Sequence, residues 1–300
     1  MQSHGTCHSQ SHHFDTTETL SDFQHGFGKF RSCETQLLQT VNDLANGLNN
    51  RQQIDSIILD FSKAFDKVCH RKLLIKLKHL GTTGSLLAWI TDFLRERTQS
   101  VVVRGTFSEK IAVKSGVPQG TVLGPLLFLT YVNDMPLAVK SKIALFADDT
   151  YLYKIIKSLL DTFALQNDIN QLTKWEKLWS MEFHPDKCFV LRVTNKQKCI
   201  DADYSIHNQK LEHVDHANYL GVTISKDLSW KKHVQRITAK ATSTRLFLQR
   251  NLTFSDSETR LMCYKTYVRP IVEYASSVWD PVGNNTLVEK IESIQRKLLQ

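Results

Sequence analysis

A chain of 300 residues, 41% hydrophobic and 23% charged, can bury enough apolar surface to fold without staples, which excludes long disordered and collagen-like chains. Its six cysteines (Cys7, Cys33, Cys69, Cys188, Cys199, Cys263) form no C-x-x-C pair, the usage of a reduced intracellular compartment, nucleus or cytoplasm. No apolar run is long enough for a membrane span and no signal core stands at the start, so no membrane or export signal is visible, and the net charge of +8 favours a polyanionic partner.

Residues 1–23 are polar and His-rich, and no element is assigned to them. From Gln36 to Leu48 the apolar positions recur at helical spacing. Ile57-Ile58-Leu59 is then a β-branched run that ends on Asp60, the pattern of a buried strand. Helices are predicted from Lys63 to Leu80, stopped by Gly81, and from Ser85 to Arg97. Ser100–Val103 and Lys110–Val113 flank Gly105 as a hairpin. A Gly/Pro turn at Ser115–Gly120 leads into an apolar helix that runs to Val132.

Ile143–Ala147 and Thr150–Ile155 read as strands on either side of Asp148-Asp149, which puts both carboxylates on a hairpin tip. An amphipathic helix from Leu159 to Phe183 precedes Pro185-Asp186-Lys187 and a strand at Phe189–Val193. Short strands follow at Tyr204–His207 and Tyr219–Ile224, and from Trp230 the pattern is that of three helices. The order is a sheet with helices between its strands, followed by an all-helical tail, an α+β arrangement in two subdomains.

Between Lys226 and Arg250 seven basic residues face one acid. On a helix starting at Trp230, the residues Trp230, Val234, Ile237, Ala241 and Leu248 fall within about 40° of one line. Lys232, Arg236, Lys240 and Arg250 cluster on the opposite side. Such a run suits an extended polyanion, although charge runs are also simply solvated faces.

Asp60, at a strand end, and Asp148 and Asp149, at a hairpin tip, could meet if the strands neighbour each other. Clustered carboxylates repel unless neutralised, and hard divalent cations accept carboxylate oxygens together with phosphates. The same residues are also ordinary turn and strand-end chemistry. Ser115-Gly116-Val117-Pro118-Gln119-Gly120-Thr121 adds glycines that let backbone approach a ligand, with one amide side chain just before a helix. As a helix start it is equally ordinary.

The segment Leu59-Asp60-Phe61-Ser62-Lys63-Ala64-Phe65-Asp66, then Ser-Gly-Val-Pro-Gln-Gly, then Phe146-Ala147-Asp148-Asp149-Thr150, closely resembles the reverse transcriptase domain of LINE-type (non-LTR) retrotransposons. Gln24-His25-Gly26-Phe27 with Arg31-Ser32 resembles the family's upstream fingers motif, and His184-Pro185-Asp186-Lys187 and Tyr219-Leu220-Gly221-Val222 resemble its later palm motifs. The likeness runs from about Gln24 to the C-terminus. It implies a right-hand polymerase fold with partial fingers, a ferredoxin-like palm sheet and a helical thumb, divided as 1–23 polar leader, 24–225 fingers and palm, and 226–300 thumb.

The resemblance also implies an RNA-directed DNA polymerase that extends a DNA primer on an RNA template with dNTPs and two Mg²⁺ ions, for which Mn²⁺ could substitute. Asp60, Asp148 and Asp149, with the Phe61 carbonyl, would hold the metal. Phe65 would exclude a ribose 2′-hydroxyl, and it is otherwise a core aromatic. Gln119 would pack against the nucleotide, with Gly116 and Gly120 permitting its approach. Lys187 would serve the leaving pyrophosphate, and it is otherwise a surface lysine. Lys232, Arg236, Lys240 and Arg250 would lie along the template-primer duplex. Arg269-Pro270-Ile271 is assigned no chemistry.

Relatives carry an endonuclease and an Arg-Pro-Ile fingers segment ahead of the Gln-x-Gly-Phe motif, and residues 1–23 carry neither, so an N-terminally truncated chain is expected. The tail stops at Gln300 within thumb-proximal sequence, with no Cys/His zinc-knuckle cluster beyond it, so a fragment of a longer element is expected. Cys7, His8, His12 and His13 lack a second ligand pair, which favours a polar leader over a zinc site. Two other readings compete with the polymerase: an inactive remnant that binds RNA or duplex, and another two-metal enzyme, such as a nucleotide cyclase or nuclease.

Overall fold

The computed structural model describes residues 20–253 and 255–299, so the leader cysteine and histidines lie outside the described residues. Helix α1 (Cys33–Asn49) leads into strand β1 (Gln53–Leu59), followed by helices α2 (His70–His79) and α3 (Gly84–Leu94). Four two-residue strands, β2 (Thr98–Gln99), β3 (Val102–Val103), β4 (Thr106–Phe107) and β5 (Ile111–Ala112), pair β2 with β5 and β3 with β4 into an exposed tongue. Helix α4 (Leu123–Val132) precedes the hairpin of β6 (Lys142–Phe146) and β7 (Asp149–Ile156). Helix α5 (Leu159–Trp179) then crosses back to β8 (Phe189–Val193).

Short strands β9 (Ser205–Ile206), β10 (Gln209–Lys210) and β11 (Glu212–Val214) follow, then a hairpin of β12 (His216–Tyr219) and β13 (Val222–Ser225). The tail holds α6 (Lys231–Asn251), α7 (Ser257–Cys263), α8 (Arg269–Glu273), α9 (Ser276–Trp279) and α10 (Asn285–Leu299).

The central sheet has the order β11-β8-β1-β7-β6. Its β1–β7, β1–β8 and β6–β7 pairs are all antiparallel, with helices between β1 and β6 and between β7 and β8. That is the ferredoxin-like arrangement expected for a palm, with β11 added in parallel beside β8. Alternation along each strand divides the core between two faces. Ile57, Leu59, Leu145, Leu152 and Val190 pack with α2 to α5 on one side. Ile54, Tyr151, Tyr153, Leu191 and Val193 pack with α1 and the tail residues Val234, Ile237, Val278 and Trp279 on the other.

The sequence and the structure part in six places. Lys63 to Leu80 is not one helix: after a single 3-10 turn at Ala64–Asp66 the chain breaks, and α2 begins at His70. The carbonyls of Phe65 and Val68 accept from Val117 N–H and Gly116 N–H, and that of Asp66 accepts from the Ser115 hydroxyl. A continuous helix would spend those carbonyls on itself. β1 starts at Gln53 rather than Ile57, because Asp55, with no exposed surface, is partnered by Arg192, Gln53 and Tyr204.

α3 ends at Leu94, and α5 ends at Trp179, where Ser180 turns left-handed (φ 55°). The strand predicted over Tyr219–Ile224 is interrupted: Tyr219 ends β12, Leu220 (φ 45°) and Gly221 (φ 80°) reverse the chain, and Val222–Ile224 lie in β13. The tail after α6 is shorter-jointed than three helices, with a π-helical stretch at Tyr264–Val268 just before Pro270, a residue without an N–H to continue the ladder.

Candidate active site

Strand register brings the acids to one end of the sheet. Leu59 lies opposite Thr150, so Asp60 neighbours Asp149, and Ile58 opposite Phe189 brings Lys187 to the same end. A bridge between Phe61 and Phe183 continues β1, tied by Ser62 N–H to the Glu182 carbonyl and His184 N–H to the Asp60 carbonyl. In such a non-hydrogen-bonded pair the Phe61 carbonyl points away from Phe183, toward the β6–β7 hairpin. The Phe61 ring is buried and stacked on Phe183 at 4.4 Å.

Burial raises the proton affinity of the Asp148 carboxyl, and the charge of Asp60 adds to it. Burial, then Asp148 and Asp60, push Asp149 up to about 6. The three acids therefore sense one another. Lys187 Nζ stands 3.4 Å from Asp60 Oδ2, so the site already draws one cation. As placed, no three His, Cys, Asp or Glu side chains among the described residues enclose an ion. In donor type and charge, however, the acids fit a hard divalent cation whose shell is completed by water or phosphate oxygens.

Asp60, Asp149 and Lys187 share a cleft of 490 Å³ with His216, Asn218, Lys232 and Arg236. Two predicted groups thus meet across one opening: the acids on the sheet wall and the first basic residues of α6 on the other. The α6 stripe packs as read, with Val234, Ile237, Ala241 and Leu248 buried, while Lys232, Arg236, Lys240 and Arg250 are exposed. Arg236 donates to the Gly221 carbonyl, which fixes it to the β12–β13 turn. Arg250 lies 14 residues beyond Arg236, about 21 Å along the helix, and donates to the Leu246 carbonyl of its own helix.

The Gly-rich turn docks on the segment after Asp60 rather than lining this cleft. Gln119 Nε2 donates to Asp66 Oδ1 at 3.3 Å. Phe65 is half-buried and stacked on Phe128 at 4.4 Å. A Cβ on Gly116 (φ 91°) would come within 3.0 Å of Asp66 Cα and its carbonyl oxygen, so this glycine serves chain packing. Gly120 (φ 78°) faces open space.

Some contributors carried no clear sequence signal. Cys188, pushed up to about 11 by burial, lies under Asp60 with its sulfur 3.5 Å from the Asp60 nitrogen. Tyr274 donates its hydroxyl to the Leu220 carbonyl, and a Cβ on Gly221 would meet its ring at 2.9 Å. The glycine of Tyr-Leu-Gly-Val was the available hint.

The family model for reverse transcriptase (RNA-dependent DNA polymerase) matches residues 8–224, and the chain belongs to that family. Among curated proteins it is 29% identical over 299 residues to the RNA-directed DNA polymerase from mobile element jockey of Drosophila melanogaster, covering 95% of this chain and 32% of the relative. It is 26% identical over 298 residues to the probable RNA-directed DNA polymerase from transposon BS of the same fly, covering 94% and 32%. These relatives bear out the resemblance to non-LTR retrotransposon enzymes, and the chain spans about a third of their length.

Solved structures that align with it include telomerase from Candida albicans with a telomeric RNA fragment (TM-score 0.47, 13% identity, 88% of this chain and 50% of that one). Another is the RNA-dependent RNA polymerase of a human picorbirnavirus (TM-score 0.47, 10% identity, 89% and 47%). No helix among the described residues is long and apolar enough to cross a membrane.

Proposed function

We propose that this chain is the polymerase core of a non-LTR retrotransposon reverse transcriptase, adding deoxynucleotides to a DNA primer on an RNA template inside the cell, in nucleus or cytoplasm. Residues 24–225 would form the partial fingers and palm and 226–300 the thumb. The observation that carries the reading is the shared cleft, with Asp60 and Asp149 on one wall and Lys232 and Arg236 on the other. A primer backbone held by the cations would place its 3′-hydroxyl at the acids.

Asp60, Asp148, Asp149 and the Phe61 carbonyl would hold two Mg²⁺ ions, or Mn²⁺ in their place. Bound there, the ions would favour attack of the hydroxyl on the α-phosphate and stabilise the leaving pyrophosphate. Phe65, braced by Phe128, would crowd a ribose 2′-hydroxyl. Gln119 would flank the nucleotide, with Gly120 leaving room for it. Lys187 would release Asp60 to the metal and give its charge or proton to the pyrophosphate. Lys240 and Arg250 would extend the phosphate contacts along the duplex.

Primer extension on a primed RNA template with Mg²⁺ or Mn²⁺ tests the reading. Synthesis by the wild type should fall about a hundred- to a thousandfold in Asp148→Ala, the scale on which one preorganised electrostatic group acts. Ribonucleotide incorporation should rise in Phe65→Val alone. A folded wild type that binds the duplex and makes no product would instead support the inactive binder.

A further inference from the structure

The stretch Gln24-His25-Gly26-Phe27 has no place in the cleft, and it lies at the sheet edge. The Leu145 N–H donates to the Phe23 carbonyl and the His25 N–H to the Leu145 carbonyl, both at 2.9 Å, so the segment bridges to β6 just before its turn. The Gln24 side chain, 4% exposed, reaches that turn. Its Oε1 accepts from the N–H groups of Ala147 and Gly26, each at 2.8 Å, and its Nε2 faces the Ala147 carbonyl at 3.4 Å.

Ala147 needs this help, because it adopts φ 54°, a left-handed conformation that costs an L-residue about 1–2 kcal/mol. It is also buried, and an unpaired N–H there would carry a desolvation penalty. Gly26 backs the same turn so closely that a Cβ would stand 2.4 Å from the Ala147 nitrogen and 3.1 Å from the Phe146 carbonyl carbon. Few side chains could do what Gln24 does. A carboxylate cannot donate to the Ala147 carbonyl and would add charge beside the acids, and an apolar chain would leave both groups unpaired.

We infer that Gln24 and Gly26 are positioning residues for the carboxylate pair: a buried amide, backed by a glycine, locks the Ala147-Asp148 turn in its left-handed bend and so aims Asp148 and Asp149 at the cation. The inference rests on the proposed role of those acids. Groups that orient metal ligands without touching the metal typically change its affinity by about 10- to 100-fold, so the effect belongs in metal binding as well as in synthesis.

Mn²⁺ binding to the full chain, followed by electron paramagnetic resonance beside thermal unfolding, tests it. Gln24→Met and Gly26→Ala should each weaken Mn²⁺ binding by about tenfold or more while the protein remains folded. Adding Ala147→Gly to Gln24→Met should recover part of the loss, because glycine adopts the bend without a Cβ. If Gln24→Met does not fold, Gln24→Asn, whose amide is one methylene short, carries the same expectation. Folded variants with a lowered Tm and unchanged Mn²⁺ affinity would overturn the inference. A wild type that binds no Mn²⁺ would overturn the reading of the acids beneath it.

Discussion

The two walls of the cleft are built by different physics. On the sheet wall each acid is placed by strand register and by backbone hydrogen bonds, with Asp60 beside the β7 start and the Asp148 turn gripped by Gln24. On the helical wall a buried stripe orients α6, and Lys232 and Lys240 reach outward on long, exposed side chains. Bond-making chemistry tolerates displacements of a few tenths of an ångström, and a phosphate backbone needs only a field of the right sign. One wall therefore encodes positions, and the other encodes charge.

That contrast can be broken on the sheet side through Asp55 and Arg192. The Arg192 guanidinium bridges Asp55, which is wholly buried, and Asp201 at the surface. Arg192→Met strands the inner carboxylate, and urea unfolding should show a loss of about 3–5 kcal/mol. A loss under 1 kcal/mol would mean that Tyr204 and Gln53 satisfy Asp55 unaided.

The helical wall should respond more gently and in another currency. Lys232→Gln with Lys240→Gln should leave the unfolding free energy within about 0.5 kcal/mol of the wild type. Fluorescence anisotropy with a labelled RNA–DNA duplex should show weaker binding, and the slope of log Kd against log salt should fall by about two. An unchanged slope would remove α6 from the interface.

The smallest effect separates the walls by sign. Asp149 is raised from 3.8 to about 6 in the folded protein, so in chelator the folded state holds a proton that the unfolded state has released. Stability contributed there is lost as pH rises through that window. His233, at the root of α6, is depressed from 6.5 to about 4 by burial and by Arg236, so its contribution is lost as pH falls through 6.5 toward 4. Relative to wild type, Asp149→Asn should raise Tm at pH 7 and not at pH 3, whereas His233→Gln should flatten the acid limb. Parallel profiles for both variants would refute the assignment.

Much of the sheet was legible because its strands alternate or run apolar between turn residues, as in Ile143–Phe146 and Tyr151–Ile156. The first half of β1 was hidden, since Gln53, Asp55 and Ser56 look like surface, and the partners that let Asp55 be buried, Arg192 and Tyr204, lie more than 130 residues away. The acids were legible through their motifs, and their meeting follows from register. The break after Asp66 and the turn at Leu220 were not, because each is decided by a distant partner: the Gly-rich turn in one case and Tyr274 in the other.

The bridge at Leu145 has a further consequence, for association between molecules. β6 is an outer strand of the sheet, and outer strands offer unpaired N–H and C=O groups to any neighbouring chain. Phe23 and His25 occupy the Leu145 donor and acceptor, so a protein trimmed past His25 would bare that edge next to Asp148 and Asp149. Shortened versions should then self-associate through β6, fastest at high concentration, and starting the chain upstream of Phe23 would be the simplest way to keep it monodisperse.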